Sequence, residues 1–521
     1  MTFDSTNLHI GAEWQLFLDD QLIEQADGAC RRWHQPERVG DPVIVADQPW
    51  EQHPYFTYSN YNVLRDPHDG LVKCWYEDLG PMHPYQTHPW KTRLLYAESE
   101  DGVTFTKPLF DHVRVDGSRT NIVAGYNGET PTLGNQWSQL GVHSSAIAIS
   151  SPAASGHPYN MLFTEMDGQS SRTSCAFSED GLHWLRAGEI PSIGRSGSAL
   201  GDVSTIRFDQ RTGLFTQYTR HPAMMNVGYS PASHPPAAGK GGFARPFFPH
   251  RTDLENRRRI YRSVSADFIN WSELVPVLSP TSVFENFDVG YYGMPAWEAG
   301  NYTVGTLGVL HYVDNVMEVR LAYSHQEQDW QLAHGGTPFL EARSAENWDS
   351  RLVSIVSPPV QFGDKWFFYH GGAPNSHDFW MSGRQRLDHP EARDPSSHVS
   401  FGLGRAEMRV NGLCSIDARS PRAGQVISRP LRLPGRKLTI NARCRDGGGL
   451  RVAVLHEDGE PLPGRRFENC DPWAGDSVEW RPHWNGDSNI VPEGMEAGKR
   501  VKLAFELNDA ELFAFQSHDQ S

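Results

Sequence analysis

A short turn motif recurs along the first two thirds of the chain. A serine is followed by an aspartate two residues on and an aromatic six residues on. It reads SEDGVTF (Ser99, Asp101, Phe105), SEDGLHW (Ser178, Asp180, Trp184) and SADFINW (Ser265, Asp267, Trp271), with a degenerate copy SHQEQDW (Ser324, Trp330). A carboxylate at this offset can accept from the backbone N–H groups of a tight turn, and the aromatic can fill the space between neighbouring sheets. The motif follows short alternating runs joined by polar turns: YNVLRD-PHDG-LVKCWYED, TIRFD-QRTG-LFTQYTR and SPPVQF-GD-KWFFYHGG. Period-two alternation around Asp/Gly turns is the pattern of hairpins, and long helical periodicity is missing.

Repeats of about four strands each predict a β-propeller. Five units are expected, over 52–110, 138–188, 198–275, 286–333 and 347–418, with 10–45 supplying a strand or strap that completes or covers a blade. An irregular β-sandwich is the alternative. After about residue 420 the turn motif stops, and VISRPLRLPGRKLTINARCRDGGGLRVAVLHEDGEPLPG and KRVKLAFELNDAELFAFQ read as further short strands. The fold class expected is therefore all-β: a five-bladed propeller over 1–419 and a jelly-roll-like C-terminal β-sandwich over 420–521.

These features, and above all AFSEDGLHW, YRSVSADFINW and the closing ELNDAELFAF, resemble the five-bladed propeller glycosidases. Those are the invertase, inulinase and levanase group and the arabinanase and β-xylosidase group. The invertase signatures (an Asn-Asp-Pro-Asn-Gly start, an Arg-Asp-Pro and a Glu-Cys-Pro) are absent. Asp66-Pro67 falls in a hairpin turn rather than at a strand entry. The resemblance implies a sugar pocket at the end of the channel where the innermost strands begin.

Glycoside hydrolysis normally needs two carboxyl groups, one to protonate the leaving oxygen and one to attack or to activate water. Acids at the starts of the inner strands are the candidates. Asp202 opens GDVSTIRFD, Glu285 and Asp288 precede the aromatic strand with Tyr292, and Asp349 follows Trp348 in ENWDSRLVSIV. The expected roles are Asp202 as nucleophile or base, Asp349 as proton donor and Asp288 as stabiliser. Each also has a structural reading as a turn cap or a solvated loop acid. Glu51, His53, Trp75, His143, Arg220, Tyr292, Trp348 and His370 are the expected substrate-binding residues, with Glu77 and Glu165 on second strands. The loop with His83, Tyr85, His88 and Trp90 could wall the pocket.

Composition excludes other classes. The 521 residues carry 47 Lys+Arg against 63 Asp+Glu, a net charge of −16, which disfavours general binding to nucleic-acid phosphates. No apolar run approaches the ~20 residues of a membrane span. The 6 cysteines form no CxxC pair and read as free thiols. The 23 histidines form no ligand-spaced pair, so no catalytic metal or other cofactor is expected, a structural calcium or sodium ion in the channel being left open. No secretory leader is legible, which suggests a cytoplasmic protein, or a secreted one whose leader has been removed. A homo-oligomer is left open. The function expected is an exo-acting glycoside hydrolase releasing a terminal sugar, such as the furanosides fructose or arabinose. The alternatives are a glycan phosphorylase, transferase or lyase on the same scaffold, or a non-catalytic glycan-binding protein.

Overall fold

The computed structural model describes residues 8–51, 53–78, 92–125, 141–167, 170–194, 203–221, 258–280, 289–311, 314–375, 377, 400–419, 423–492 and 499–519. Among them the regular structure is nearly all β. One four-residue α-helix, Pro152–Ser155, and a few 3-10 turns interrupt it.

Five antiparallel sheets follow one another along the chain. The first runs outward from Tyr61–Arg65 through Val72–Asp78 and Arg93–Ser99 to Ile122–Gly125, and the second from His143–Ile149 to Leu185–Arg186. The third runs from Ser204–Asp209 to Val275–Leu278. The fourth starts with Val289–Gly293 and Ala296–Ala299, and the fifth with Leu352–Ser354 and Val360–Phe362. Separate cores fill each gap between neighbours. Trp75 and Tyr96 meet Phe163 and Trp184 between the first two, and Leu162 and Cys175 meet Phe215 and Trp271 between the next two. Tyr218 and Ile260 meet Leu307 and Trp330, Trp297 and Val304 meet Val353 and Phe368, and Phe367 and Tyr369 return to Val63 and Tyr76. The fifth gap closes the ring, so the architecture is a five-bladed β-propeller.

The N-terminus helps to close it. Glu37–Arg38 pairs with Gly402–Arg409 as the outermost strand of the fifth blade. Along the axis, Asn62, Ile147, Thr205, Pro295 and Ser357, one from each blade, enclose a space of only about 10 Å³.

The turn motif forms as its chemistry requires. Asp101 Oδ1 accepts from the Val103 and Thr104 backbone N–H groups at 2.8 Å each, Asp180 Oδ1 from Leu182 and His183 at 2.8 Å each, and Asp267 Oδ1 from Ile269 and Asn270 at 2.9 and 2.7 Å. In all three copies the serine hydroxyl donates to that aspartate. Trp184 and Trp271 are buried between blades. Burial alone would raise the Asp180 carboxyl, but the hydrogen bonds from His183 and the Leu182 backbone bring it down to about 2. Asp180→Ala should cost about 1–2 kcal/mol by removing these bonds, read as a fall of a few degrees in Tm. An unchanged Tm would show that the turn holds itself without its cap.

The second unit is a ten-stranded sheet around one apolar core that includes Phe17, Ile440, Val452, Trp484, Phe505 and Phe515. Two 19-residue strands, Lys437–Leu455 and Arg500–His518, pair along their length with register shifts at Asn441/Ala442 and Cys444/Gly449. Bulges of this kind bend a long strand. The sheet differs from the expected 419/420 boundary. It takes in Cys414–Ala418 and four N-terminal strands, Leu8–His9, Gln15–Leu16, Ile23–Asp27 and Cys30–Trp33. Strand ends are satisfied by whichever segment supplies backbone hydrogen bonds, and here that segment lies hundreds of residues away in sequence.

Candidate functional site

Every inner strand begins at the same end of the propeller, where Tyr61, His143, Ser204, Val289 and Leu352 enter. Residues 56–61 cross this end. Gly371 lies directly under the Phe56 carbonyl, and the Tyr61 hydroxyl donates to Ser354 O at 2.7 Å and accepts from the Gly371 N–H at 2.8 Å, both in the fifth blade. Tyr58 lies over Gly293 and Gly308 of the fourth blade, where a Cβ would strike its ring. Ser59, at φ 63°, reaches the third blade and donates to Ser204 O at 2.7 Å. The tyrosine fits because the strands beneath it carry glycine. This segment is the floor of the entry end. Nearby Thr57 Oγ1, Ser144 Oγ and Ser145 Oγ are buried and find no hydrogen-bond partner among the described residues.

Two polar clusters rise around the floor. On the side of the first two blades, the Glu77 carboxylate is 1% exposed. It accepts from His143 Nδ1 at 2.7 Å, from the Ser144 backbone N–H at 3.1 Å and from Asn60 Nδ2. A carboxylate has no proton to give, so His143 donates to it from Nδ1. The two residues come from adjacent blades: Glu77 near the end of Val72–Asp78, His143 at the start of its own inner strand. Asp78, next along, pairs with Arg93 and accepts the His53 backbone N–H at 2.6 Å.

The second cluster comes from the third, fourth and fifth blades. The Arg220 and Arg258 guanidiniums lie 4.0 and 5.0 Å from the centre of the Tyr292 ring, within cation–π range. The Tyr292 hydroxyl is 2.6 Å from His377 Nε2. Arg220, Arg258, Tyr292 and His377 are each less than one tenth exposed. Guanidiniums carry N–H groups of the kind that bind hydroxyl, carboxylate or phosphate oxygens.

The structure sorts the expected residues. Arg220 and Tyr292 are in contact, His143 stands on Glu77 at the start of its own inner strand, and the His53 backbone is bonded to Asp78. Asp202 and Asp288 fall outside the described residues, as do Glu285, His83, Tyr85, His88 and Trp90. Their chain neighbours Val203 and Val289 stand at inner-strand starts.

Six of the expected residues are corrected. Trp75 is fully buried between blades, donates to Gly181 O at 2.7 Å, and presents no face to a sugar. Glu51 accepts from Lys107 and Tyr76 and from the Asp47 and Gln48 backbone, so it ties a loop to the first blade. Asp349 is fully buried, 2.9 Å from Arg38 and 2.5 Å from Arg343, with His370 3.4 Å away. Burial by itself would raise its carboxyl, but hydrogen bonds from His370 and Arg343 and the charge of Arg38 outweigh this and hold it at about 2. A carboxyl held ionised in this way does not suit the expected proton donor. Trp348 and His370 are part of the same assembly. Their rings stack at 5.4 Å over the close-packed Gly372 and Gly404, and burial pushes the His370 pKa down. Glu165, too, is a structural partner, of Arg186 and Ser174.

Asn60 and Arg258 were not singled out from sequence. Asn60 immediately precedes an inner strand, where a neutral amide carries no local mark of a site. Arg258 lies in the run NRRRIYR, which reads as surface charge until strand register sets it beside Tyr291. Among the described residues no group of three or more His, Cys, Asp or Glu is placed to hold a metal ion, and no helix is long and apolar enough to cross a membrane.

No protein-family model matches the chain, and no curated protein matches it. Solved structures do. A protein described under "The GH130 family of mannoside phosphorylases contains glycoside hydrolases that target beta-1,2 mannosidic linkages in Candida mannan" is 15% identical, with 73% of this chain and 94% of that one covered, at a TM-score of 0.45. A glycosyl hydrolase from Bacteroides ovatus is 15% identical over 73% of this chain and 97% of its own, also at 0.45. An N-acetylgalactosamine deacetylase from F. plautii, in complex with blood group B trisaccharide, is 13% identical over 74% and 96%, at 0.41. The likeness to the invertase and arabinanase groups gains no support from a family match.

Proposed function

We propose that this protein is a glycan-cleaving enzyme that takes one terminal sugar at the entry end of the propeller. The observation that carries the reading is a polar site over a floor. Residues 56–61 cross the entry end, and at that end stand His143 on Glu77 and the cluster of Arg220, Tyr292, Arg258 and His377. A closed floor suits a chain end rather than the middle of a polymer, and so favours exo action. His143 and the arginines bind sugar oxygens. Asp202 and Asp288, adjacent to inner-strand starts, supply the carboxyl pair. In hydrolysis one of them protonates the leaving oxygen as the glycosidic C–O bond breaks, and the other attacks the anomeric carbon or takes a proton from water. A furanoside such as fructose or arabinose is the sugar proposed.

The Arg220–Arg258–His377 cluster favours a second reading, phosphorolysis, in which phosphate replaces water as the attacking group. One experiment separates the two. The purified chain is incubated with aryl glycosides and reducing-end-labelled oligosaccharides, with and without inorganic phosphate. Free monosaccharide released without phosphate is the expected result. A sugar phosphate formed only with phosphate would establish the second reading, and silence across the panel under both conditions would overturn both.

A further inference from the structure

A second groove lies at the far end of the propeller, against the C-terminal sheet. It has a volume of about 450 Å³ and is bordered by Trp14 from the N-terminal segment, Trp297 from the fourth blade and Trp366 from the fifth. The Ala299–Tyr302 and Phe362–Lys365 turns beside it mark the end opposite the strand starts. A ligand here leaves the entry site vacant.

The lining carries three kinds of group. Trp14 is half-buried and offers an indole surface, whereas Trp297 and Trp366 are each 7% exposed and form the packed base of the groove. Gln361 and Asn411 present amides, which both donate and accept. Glu298 and Glu479 supply the charge at the rim; Glu298 stands 3.7 Å from Arg207, and among the described lining residues there is no lysine or arginine. By contrast, the cleft on the C-terminal sheet bordered by Arg432, Arg436 and Lys499 is cationic.

The Trp14 indole, the amides and the carboxylates together match the alternating C–H and hydroxyl faces of a sugar. Carboxylates without cations disfavour uronates and sulfated chains. We propose that this groove binds a neutral glycan chain and anchors the polymer whose ends the entry site processes, an inference that rests on the glycan-cleaving reading above.

The test is affinity electrophoresis of the full chain in gels containing arabinan, galactomannan or mixed-linkage β-glucan, with polygalacturonate as the anionic counterpart. Retardation by at least one neutral polymer is expected. It should persist in Asp202→Asn and weaken at least tenfold in Trp14→Ala. Asn411→Gly, tolerated at φ 54°, is the milder second variant, expected to weaken it severalfold, and both variants should keep turnover of a small aryl glycoside. No retardation by any neutral polymer, retardation undiminished in both groove variants, or preference for polygalacturonate would overturn the proposal. Retardation lost in Trp14→Ala without cleavage of any glycoside would leave the groove standing and sink the enzymatic reading instead.

Discussion

Asp202→Asn and Asp288→Asn should each lower kcat by about 10²–10⁴-fold with little change in KM, the range that a positioned acid or base contributes. His143→Ala should act differently. It removes a group that holds the sugar in ground and transition state alike, so KM rises and kcat/KM falls by about 10²-fold. Glu77→Gln should follow His143→Ala, because Glu77 fixes the tautomer and direction of that ring through the 2.7 Å bond to Nδ1. The decisive readout is the double variant. Two residues acting as one unit are non-additive, so the pair should lose little more than His143→Ala alone. Full additivity would show that Glu77 contributes only to folding. Undiminished turnover in both Asp variants would remove the carboxyl pair from the mechanism.

The second large effect is on stability. Asp349→Asn leaves Arg38 and Arg343 facing each other without their buried counter-ion, and removing one member of a buried ion cluster costs about 3–5 kcal/mol. Urea unfolding should show the loss as a lower midpoint at unchanged m. The same cluster predicts the acid limb of wild-type stability. Asp349 titrates at about 2 in the folded chain against about 3.9 unfolded, so its contribution is complete above pH ~4 and is lost as pH falls toward 2. Burial also depresses His370, so its share is lost as pH falls below about 6.5. Both act in one direction, and Asp349→Asn should flatten the lower part of the curve. Turnover per folded molecule should survive the substitution. Its abolition without loss of stability would restore Asp349 to the chemistry.

Short-range features were legible in the chain. The Ser-x-Asp turn depends on hydrogen bonds spanning two or three residues, and the hairpins on local alternation and turn chemistry. Both could be read residue by residue, and the five-fold repeat followed from counting them. Long-range features were not. Asp349 beside Trp348 has the same local sequence whether it lines a pocket or neutralises Arg38, 311 positions away. Trp75 alternates correctly for either face of its strand, and only the second blade closing over it makes it core. Glu77 meets His143 across 66 residues, and Ser59 meets Ser204 across 145. Turns, strands and the number of blades follow from local hydrogen bonding and side-chain alternation. Which charged side chains face the mouth and which are locked between blades is settled at the level of domain packing. That depends on how five separately formed sheets and an N-terminal strand dock, and no local pattern encodes it.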